Sequence, residues 1–288
     1  MIDYDALKAL DSVIENQSFQ LASKELRISQ SAVTQRIQNF ESYIGKKLLI
    51  RTIPYRATKE GSQYLNLLRK VISLESSIIN SDVSASVVRL AVNRDSLDTY
   101  FLKVLRLMKY SDRLNLQIIA DDQGQTLRYL KNGQVDMCIS SQEKKLSQHS
   151  VTYLGDMSYS LVCSKKFYQQ FFSKGINKKS LEGAPLVIFD KDDKLQHNYL
   201  KENYAADNFD RISSFPSIMS FKEAIISGIG YGLLPLIDIQ SELRKEQMIL
   251  MNKKINYKVS LYLHHWDHME EGTKLLKERI IKAAKALK

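Results

Sequence analysis

The sequence predicts an all-α head joined by a long helix to a larger α/β body, and three patterns carry that expectation. Residues 1–44 repeat apolar side chains at helical spacing. An unbroken repeat of 3 and 4 follows between Thr58 and Asn80. Beyond Ser86, short apolar strands alternate with amphipathic helices, the layout of an α/β unit with a largely parallel sheet. A length of 288 residues accommodates two modest domains, and 44% hydrophobic with 26% charged residues is the balance of a globular chain.

In the first helix Leu7, Leu10 and Ile14 share a face. In the second, for which Ser18 is the expected N-cap, Phe19, Ala22 and Leu26 do. A three-residue turn, "RIS", then leads into "ISQSAVTQRIQNFESYIG", Ile28–Gly45. Ser29 suits the N-cap of this third helix, Ile28 can staple onto Val33, and Gly45 is the expected stop. Val33, Ile37, Phe40 and Ile44 recur at intervals of 4, 3 and 4, so the helix buries one edge. "KKLLIRTIPYRAT" reads as two short extended segments about Pro54, a β-wing. The long helix carries Tyr64, Leu67, Val71, Leu74 and Ile78 on one track, and Leu65, Leu68, Ile72 and Ile79 on another that Glu75 breaks. A helix with so regular a seam and no obvious core of its own is expected to pair with a second copy of itself, through Tyr64, Leu67, Leu68, Val71, Leu74 and Ile78. "NSDVSAS" (Asn80–Ser86) follows as a polar hinge. Then come the strand-like runs "VVRLAV", "LNLQIIA", "VDMCIS", "YSLVC", "LVIF", "GYGLLP" and "VSLYLH".

Charge placement narrows the function. The net charge is +10, and between Lys24 and Lys59 eight basic residues face only Glu25 and Glu41. The last fifteen residues hold a second excess, alternating with apolar positions as a solvated helix face does. The first excess surrounds the third helix, whose outward side presents Gln30, Ser31, Thr34, Gln35 and Gln38 with Arg36 at its edge. Glutamine can bond adenine in bidentate fashion, while serine and threonine adapt to several bases. A helix N-terminus at Ser29 suits a phosphate, and Arg51, Arg56 and Lys59 beside the wing can neutralise others. A Gln/Ser/Thr face alone is common on solvated helices. The short turn, the local charge and the wing together point to the major groove of double-stranded DNA.

The stretch "SFQLASKELRISQSAVTQRIQNFESYIGKKLLIRT…TKEG" resembles the helix-turn-helix of the LysR-type transcriptional regulators. Phe19, Ala22, Leu26, Ser29, Gln30, Ala32, Val33, Ile37, Glu41, Gly45, Leu48, Arg51, Thr58 and Gly61 occupy the places of the family pattern. Ser23 and Ser31 stand where many members have alanine and proline. The resemblance extends over the whole chain. "AVNRDSLDTYFLKVL", "VCSKKFYQQFFSKGI" and "APLVIFDKDDKLQHNYLKENY" look most like the branch that senses lysine and arginine and controls a basic amino-acid exporter. It implies a winged helix-turn-helix over residues 1–58, a linker dimerisation helix over 59–80 and a hinge over 81–86. Residues 87–288 would then form an effector domain like a periplasmic binding protein. Its two subdomains would cover 87–162 with 267–288, and 163–266. It further implies a dimer that associates to a tetramer, and RNA polymerase as a partner.

For the effector site, Ser96 follows the first strand and precedes a helix, where a ligand carboxylate could meet free N–H groups. Ser140 and Ser217 sit at comparable strand ends, where α/β sheets bind ligands. A lysine or arginine effector also needs an anion, for which Asp95, Asp121, Asp122, Asp190 and Asp193 are the candidates.

Competing functions find less support. "GIGYG" (Gly228–Gly232) lies between a helix and a strand, the reverse of a dinucleotide loop. "HHWDH" (His264–His268) has no second cluster to complete a metal site. No nucleophile with its base is visible, so neither an enzyme nor a cofactor is expected. Cys138 and Cys163, in strand-like runs without a CxxC, are expected as buried thiols. An acidic start and the lack of a long apolar run predict a cytoplasmic protein with no membrane partner. Two alternatives stay open: an architectural DNA protein without a ligand switch, or a regulator of this type for a different effector.

Overall fold

Side-chain caps begin each helix of the head in the computed structural model, which describes residues 2–79, 86–145, 149–191, 193–252, 257–267 and 269–287. Asp3, Ser18 and Ser29 accept from the backbone N–H of Ala6, Leu21 and Ala32, starting α1 (Tyr4–Asn16), α2 (Phe19–Leu26) and α3 (Gln30–Ile44). Gly45 closes α3 in the left-handed region at φ 68°. The wing follows as β1 (Leu49–Ile50) and β2 (Arg56–Ala57), paired antiparallel. Leu7, Leu10, Val13, Ala22, Val33, Ile37 and Phe40 meet in one core, so the predicted apolar edges of three helices bury each other.

The long helix α4 (Lys59–Ile79) departs from expectation at its start. It was expected to lack a core of its own, yet Leu65 and Leu68 are buried in the head's core and Tyr64 packs edge-on against Phe40. Gly61 permits this docking, since a Cβ there would lie 2.1 Å from the Leu48 carbonyl oxygen. Leu68, expected at a dimer seam, is therefore consumed within the chain, because α4 leans on α1 before it leaves the head. Leu67 and Val71 stay half-buried. The side chains of Leu74 and Ile78, and residues 80–85 of the expected hinge, lie outside the described residues; Ser86, the hinge's expected last residue, instead begins the first strand of the body.

The body contains β3 (Ser86–Asn93), α5 (Arg94–Asp98), α6 (Phe101–Leu107), β4 (Leu114–Asp121), α7 (Thr126–Lys131), β5 (Met137–Ser140) and β6 (His149–Cys163). It continues with α8 (Lys165–Phe171), α9 (Lys178–Gly183), β7 (Leu186–Ile188), α10 (Leu195–Tyr204), β8 (Ile212–Ser214) and α11 (Ile218–Ile226). Last come β9 (Gly232–Pro235), α12 (Gln240–Arg244), β10 (Ile249–Leu250), β11 (Tyr257–Trp266) and α13 (Glu271–Ala284). The main sheet is mixed rather than largely parallel. Only β3 runs parallel to β4 and β5, while β11 is antiparallel to β5 and β6, and β6 to β9 and β10. The physical reason is the path of the chain. It passes from one half of the body to the other along β6 and returns along β11, so the two crossing strands must oppose each other. A second small sheet pairs β7 with β8 in parallel. Cys138 and Cys163 are buried free thiols. No helix among the described residues is long and apolar enough to cross a membrane.

Candidate functional site

Two sites follow from this frame. On the head, α3 buries Val33, Ile37 and Phe40 and turns Gln30, Ser31, Gln35 and Gln38 to solvent. Thr34 is half-buried and its hydroxyl donates to the Gln30 carbonyl at 3.1 Å. Ser29 both caps the helix and meets the Ser31 hydroxyl at 2.9 Å. Arg36 reaches back to Asp5 at 3.5 Å, an exposed pair that a phosphate can displace. Arg56 on the wing and Lys59 at the start of α4 are exposed without an ion pair among the described residues.

Glu41 organises the underside of this surface. It is 3% exposed and accepts from the Leu48 and Leu49 N–H groups at 2.8 and 3.2 Å. Lys47 at 3.2 Å and Arg51 at 3.6 Å add charge. Burial alone would push its carboxyl up, but the two backbone donors and Lys47 hold it below its ordinary value. Arg51, predicted as a phosphate contact, thus also anchors the wing. Family pattern marks the Glu41 position, but composition and periodicity do not: a lone carboxylate on a helix reads as solvated.

In the body, a cleft of about 750 Å³ is lined by elements from both halves, including the turn after β4, the start of α10 and the first residues of β11. All five candidate aspartates, Asp95, Asp121, Asp122, Asp190 and Asp193, line it. Two are neutralised. Asp121 is met by Arg128 at 2.9 Å and by the Tyr129 hydroxyl at 2.7 Å, and Asp190 by Arg94 at 3.5 Å. The other three have no ion-pair partner among the described residues. Asp193 accepts from the N–H groups of Leu195 and Phe189, and Asp122 from that of Gly124. Asp95 accepts from the Tyr159 hydroxyl at 2.5 Å. Burial pushes the Asp95 carboxyl up to about 6; Tyr159 opposes the shift, while the negative fields of Asp193, Asp238 and Asp122 add to it. Burial also raises Asp193, again with Asp122 as a repelling neighbour.

The three candidate serines fall outside the cleft's lining. Ser96 and Ser140 are wholly buried, and Ser217 is exposed as the N-cap of α11. Ser140 donates instead to the Gln123 carbonyl at 3.1 Å, leaving Ser141 to face the cavity with Ser260. A strand-end rule locates the turn, but the pleat decides which of two neighbours points out. Strand-end spacing does not mark Arg94, Arg128 or Tyr159, which meet these aspartates. A buried strand tyrosine, which needs an acceptor for its hydroxyl, was the available signal for the last.

In the histidine run, His264 meets the Gln142 carbonyl at 2.7 Å and His265 that of Trp266 at 2.8 Å. Among the described residues no group could hold a metal ion, and His268 lies outside them.

Residues 4–62 match the family of bacterial regulatory helix-turn-helix proteins of the lysR type, and residues 82–284 match the LysR substrate binding domain. The HTH-type transcriptional regulator ArgP of Vibrio cholerae serotype O1 is 35% identical over 293 residues, covering 99% of this chain and 98% of that protein. The crystal structure of ArgP from Mycobacterium tuberculosis superposes with a TM-score of 0.89 at 27% identity, covering 100% of this chain and 99% of the other. Full-length LysG from Corynebacterium glutamicum, solved with bound effector Arg, gives a TM-score of 0.79 at 26% identity over 99% of each chain.

Proposed function

The chain belongs to the LysR family of DNA-binding transcriptional regulators, which are not enzymes, and from that membership we propose that a basic amino acid, arginine or lysine, is the effector that switches it. The match of residues 82–284 to a substrate-binding domain sets aside an architectural protein without a sensor. The observation that carries the effector reading is the grouping of Asp95, Asp122 and Asp193 in one cleft, none of them ion-paired among the described residues. Like charges held together out of water are costly, and an opposite charge brought between them is correspondingly favourable. Arginine and lysine each bring two cationic groups and one carboxylate, for which Arg94 and Arg128 at the same cleft are exchangeable partners. The solved relative that carries arginine supports the same class.

In this reading residues 1–58 form the DNA-binding head, 59–80 the linker helix, 81–86 the hinge, and 87–288 the effector domain with crossing points near 162 and 266. Ser29, Gln30, Ser31, Thr34, Gln35, Arg36 and Gln38 face the major groove, while Arg51, Arg56 and Lys59 hold phosphates. Linker helices pair through Tyr64, Leu67, Val71, Leu74 and Ile78, so the operator is an imperfect palindrome read by a dimer within a tetramer. A cytoplasmic location, contact with RNA polymerase and control of a basic amino-acid exporter complete the proposal. The effector acts only through its difference in affinity for the two arrangements of the heads.

Thermal melting tests the effector class. Arginine or lysine at a hundred times its Kd stabilises the native state by about 2.7 kcal/mol, which raises the midpoint by several degrees. Citrulline and norleucine, which keep the shape and lose the side-chain cation, are expected to leave it unmoved. An equal shift with citrulline would show that the aspartates do not select charge.

A further inference from the structure

We infer that Arg69 is the positioning residue through which effector occupancy of the cleft reaches the DNA-binding head. The inference rests on the reading of the cleft as the effector site. Arg69, on α4, is only 17% exposed at its side chain, and its fork is divided. One guanidinium nitrogen donates to the carbonyl of Gly133 in the body, while the other meets Asp11 at 2.9 Å and Glu15 at 3.5 Å, both on α1 of the head. A planar guanidinium can serve such opposed acceptors in fixed geometry, which an ammonium cannot.

Gly133 is seated directly on the same helix. Its φ is +65°, and a Cβ there would lie 2.9 Å from the Asn66 Cβ and 3.1 Å from the Ser62 carbonyl oxygen. The turn therefore tolerates no side chain while α4 stays docked. The same turn is the far end of a rigid unit that begins at the cleft. Gln123, Gly124 and Gln125 line the cavity and lead into α7, which ends just before Gly133. Strand β5 then returns to the cavity at Ser141. Helix and strand are locked together by the Thr126 hydroxyl, which donates to the Ile139 carbonyl at 2.6 Å in the interior. Leu127, Leu130, Val135 and Cys138 fill the space between them. A displacement of the 123–125 turn is thus transmitted to Gly133 as a rigid-body movement. On the other side, Asp11 lies on the helix whose Asp5 pairs with Arg36 of α3. Contiguity alone does not establish coupling; a measured change in coupling does.

The test uses the full-length protein and a duplex that the wild type selects from a random-sequence pool. Arginine affinity is measured by calorimetry without DNA, and duplex affinity with and without saturating arginine. For the wild type a ratio of the two duplex affinities of about five to 150 is ordinary for an allosteric protein. Arg69→Met is expected to keep arginine affinity within about twofold while the ratio falls to within about twofold of unity. Arg69→Lys, which keeps a charge for Asp11 but not the divided fork, falls between them. A residue that merely stabilised the head would change both duplex affinities by one factor and preserve the ratio, and a folded Arg69→Met with the wild-type ratio overturns the inference. A wild type that ignores arginine refutes the effector reading instead. The clamp is then judged by amide hydrogen exchange, which must quicken in Arg69→Met both over 132–136 and over 8–16; unchanged exchange in either overturns it.

Discussion

The head and the cleft handle charge in opposite ways. The head displays its cations on the outside of a frame that is complete by itself, with its one buried carboxylate, Glu41, met by two backbone donors and flanked by Lys47 and Arg51. The cleft gathers five aspartates, three of which have no ion pair among the described residues. Exposed cations cost little to hold and are ready for any polyanion, so the head is poised to meet phosphates at once. Half-buried carboxylates held together are costly in the ligand-free body, and under the proposed function a cationic ligand would offset that cost. One region is built for continuous engagement, the other for a conditional one. That difference is what a ligand-switched DNA-binding protein requires.

The largest expected effect probes whether the head's frame is separable. Phe40→Ala removes a ring that touches both the three-helix core and Tyr64 of α4, and is expected to cost about 3–5 kcal/mol by chemical denaturation. DNA binding should vanish while arginine still binds the body, as calorimetry would show. Loss of both would mean that the two regions fold as one unit and that the head's frame is not separable from the cleft.

A second experiment separates reading from anchoring within the head. Gln35→Ala is expected to cost about 1–3 kcal/mol on the preferred operator and almost nothing on mismatched duplexes. Arg56→Ala should weaken all sequences alike and lower the salt slope by about one. If both variants lose the same affinity on every duplex, α3 does not read bases.

The contrast between the two regions also explains what could be read in advance. The head's determinants lie within some sixty consecutive residues, and helical periodicity sorts them: Val33, Ile37 and Phe40 inward, Gln35 and Gln38 outward. Caps at Ser18 and Ser29 are local chemistry and follow from sequence spacing. The cleft's acids could be named because an aspartate after a strand is recognisable, yet their grouping depends on how β6 and β11 cross, which no local pattern encodes. For the same reason the sheet was expected to be largely parallel. Leu68 was misplaced because two apolar tracks on one helix look alike until α1 covers one of them. Arg69 meets Asp11 across 58 positions and Gly133 across 64, beyond the reach of any spacing rule.

The cleft makes its own prediction about pH. Asp95 ionises near pH 6 in the folded protein, against 3.8 for its ordinary value. A carboxyl raised on folding contributes stability at low pH that is lost as pH climbs through the folded value, so the ligand-free protein is strained above pH 6. A cationic ligand must displace the proton, and arginine is therefore expected to bind roughly tenfold more tightly at pH 7 than at pH 5. Asp95→Asn should flatten that profile and make the ligand-free protein more stable at pH 7 but not near pH 4. A variant whose arginine affinity keeps its full pH dependence would assign the titration to another group and leave Asp95 a purely structural acid.

The smallest effect concerns an exposed acid of the head that pairs with a cation of the DNA-reading helix. Asp5 holds Arg36 at 3.5 Å with both side chains substantially exposed. Such pairs are worth about 0–1 kcal/mol, because water and salt screen them. Asp5→Asn should therefore change unfolding free energy by less than about 1 kcal/mol. It should strengthen binding to duplexes of every sequence at low salt, since Arg36 loses its internal rival and the phosphates lose a repelling neighbour. The gain should fade as salt rises through the range in which the Debye length shrinks to about 8 Å. A loss of DNA affinity on the same substitution would mean that Asp5 holds Arg36 in the orientation the groove needs, and the pair would then belong to the reading surface instead of competing with it.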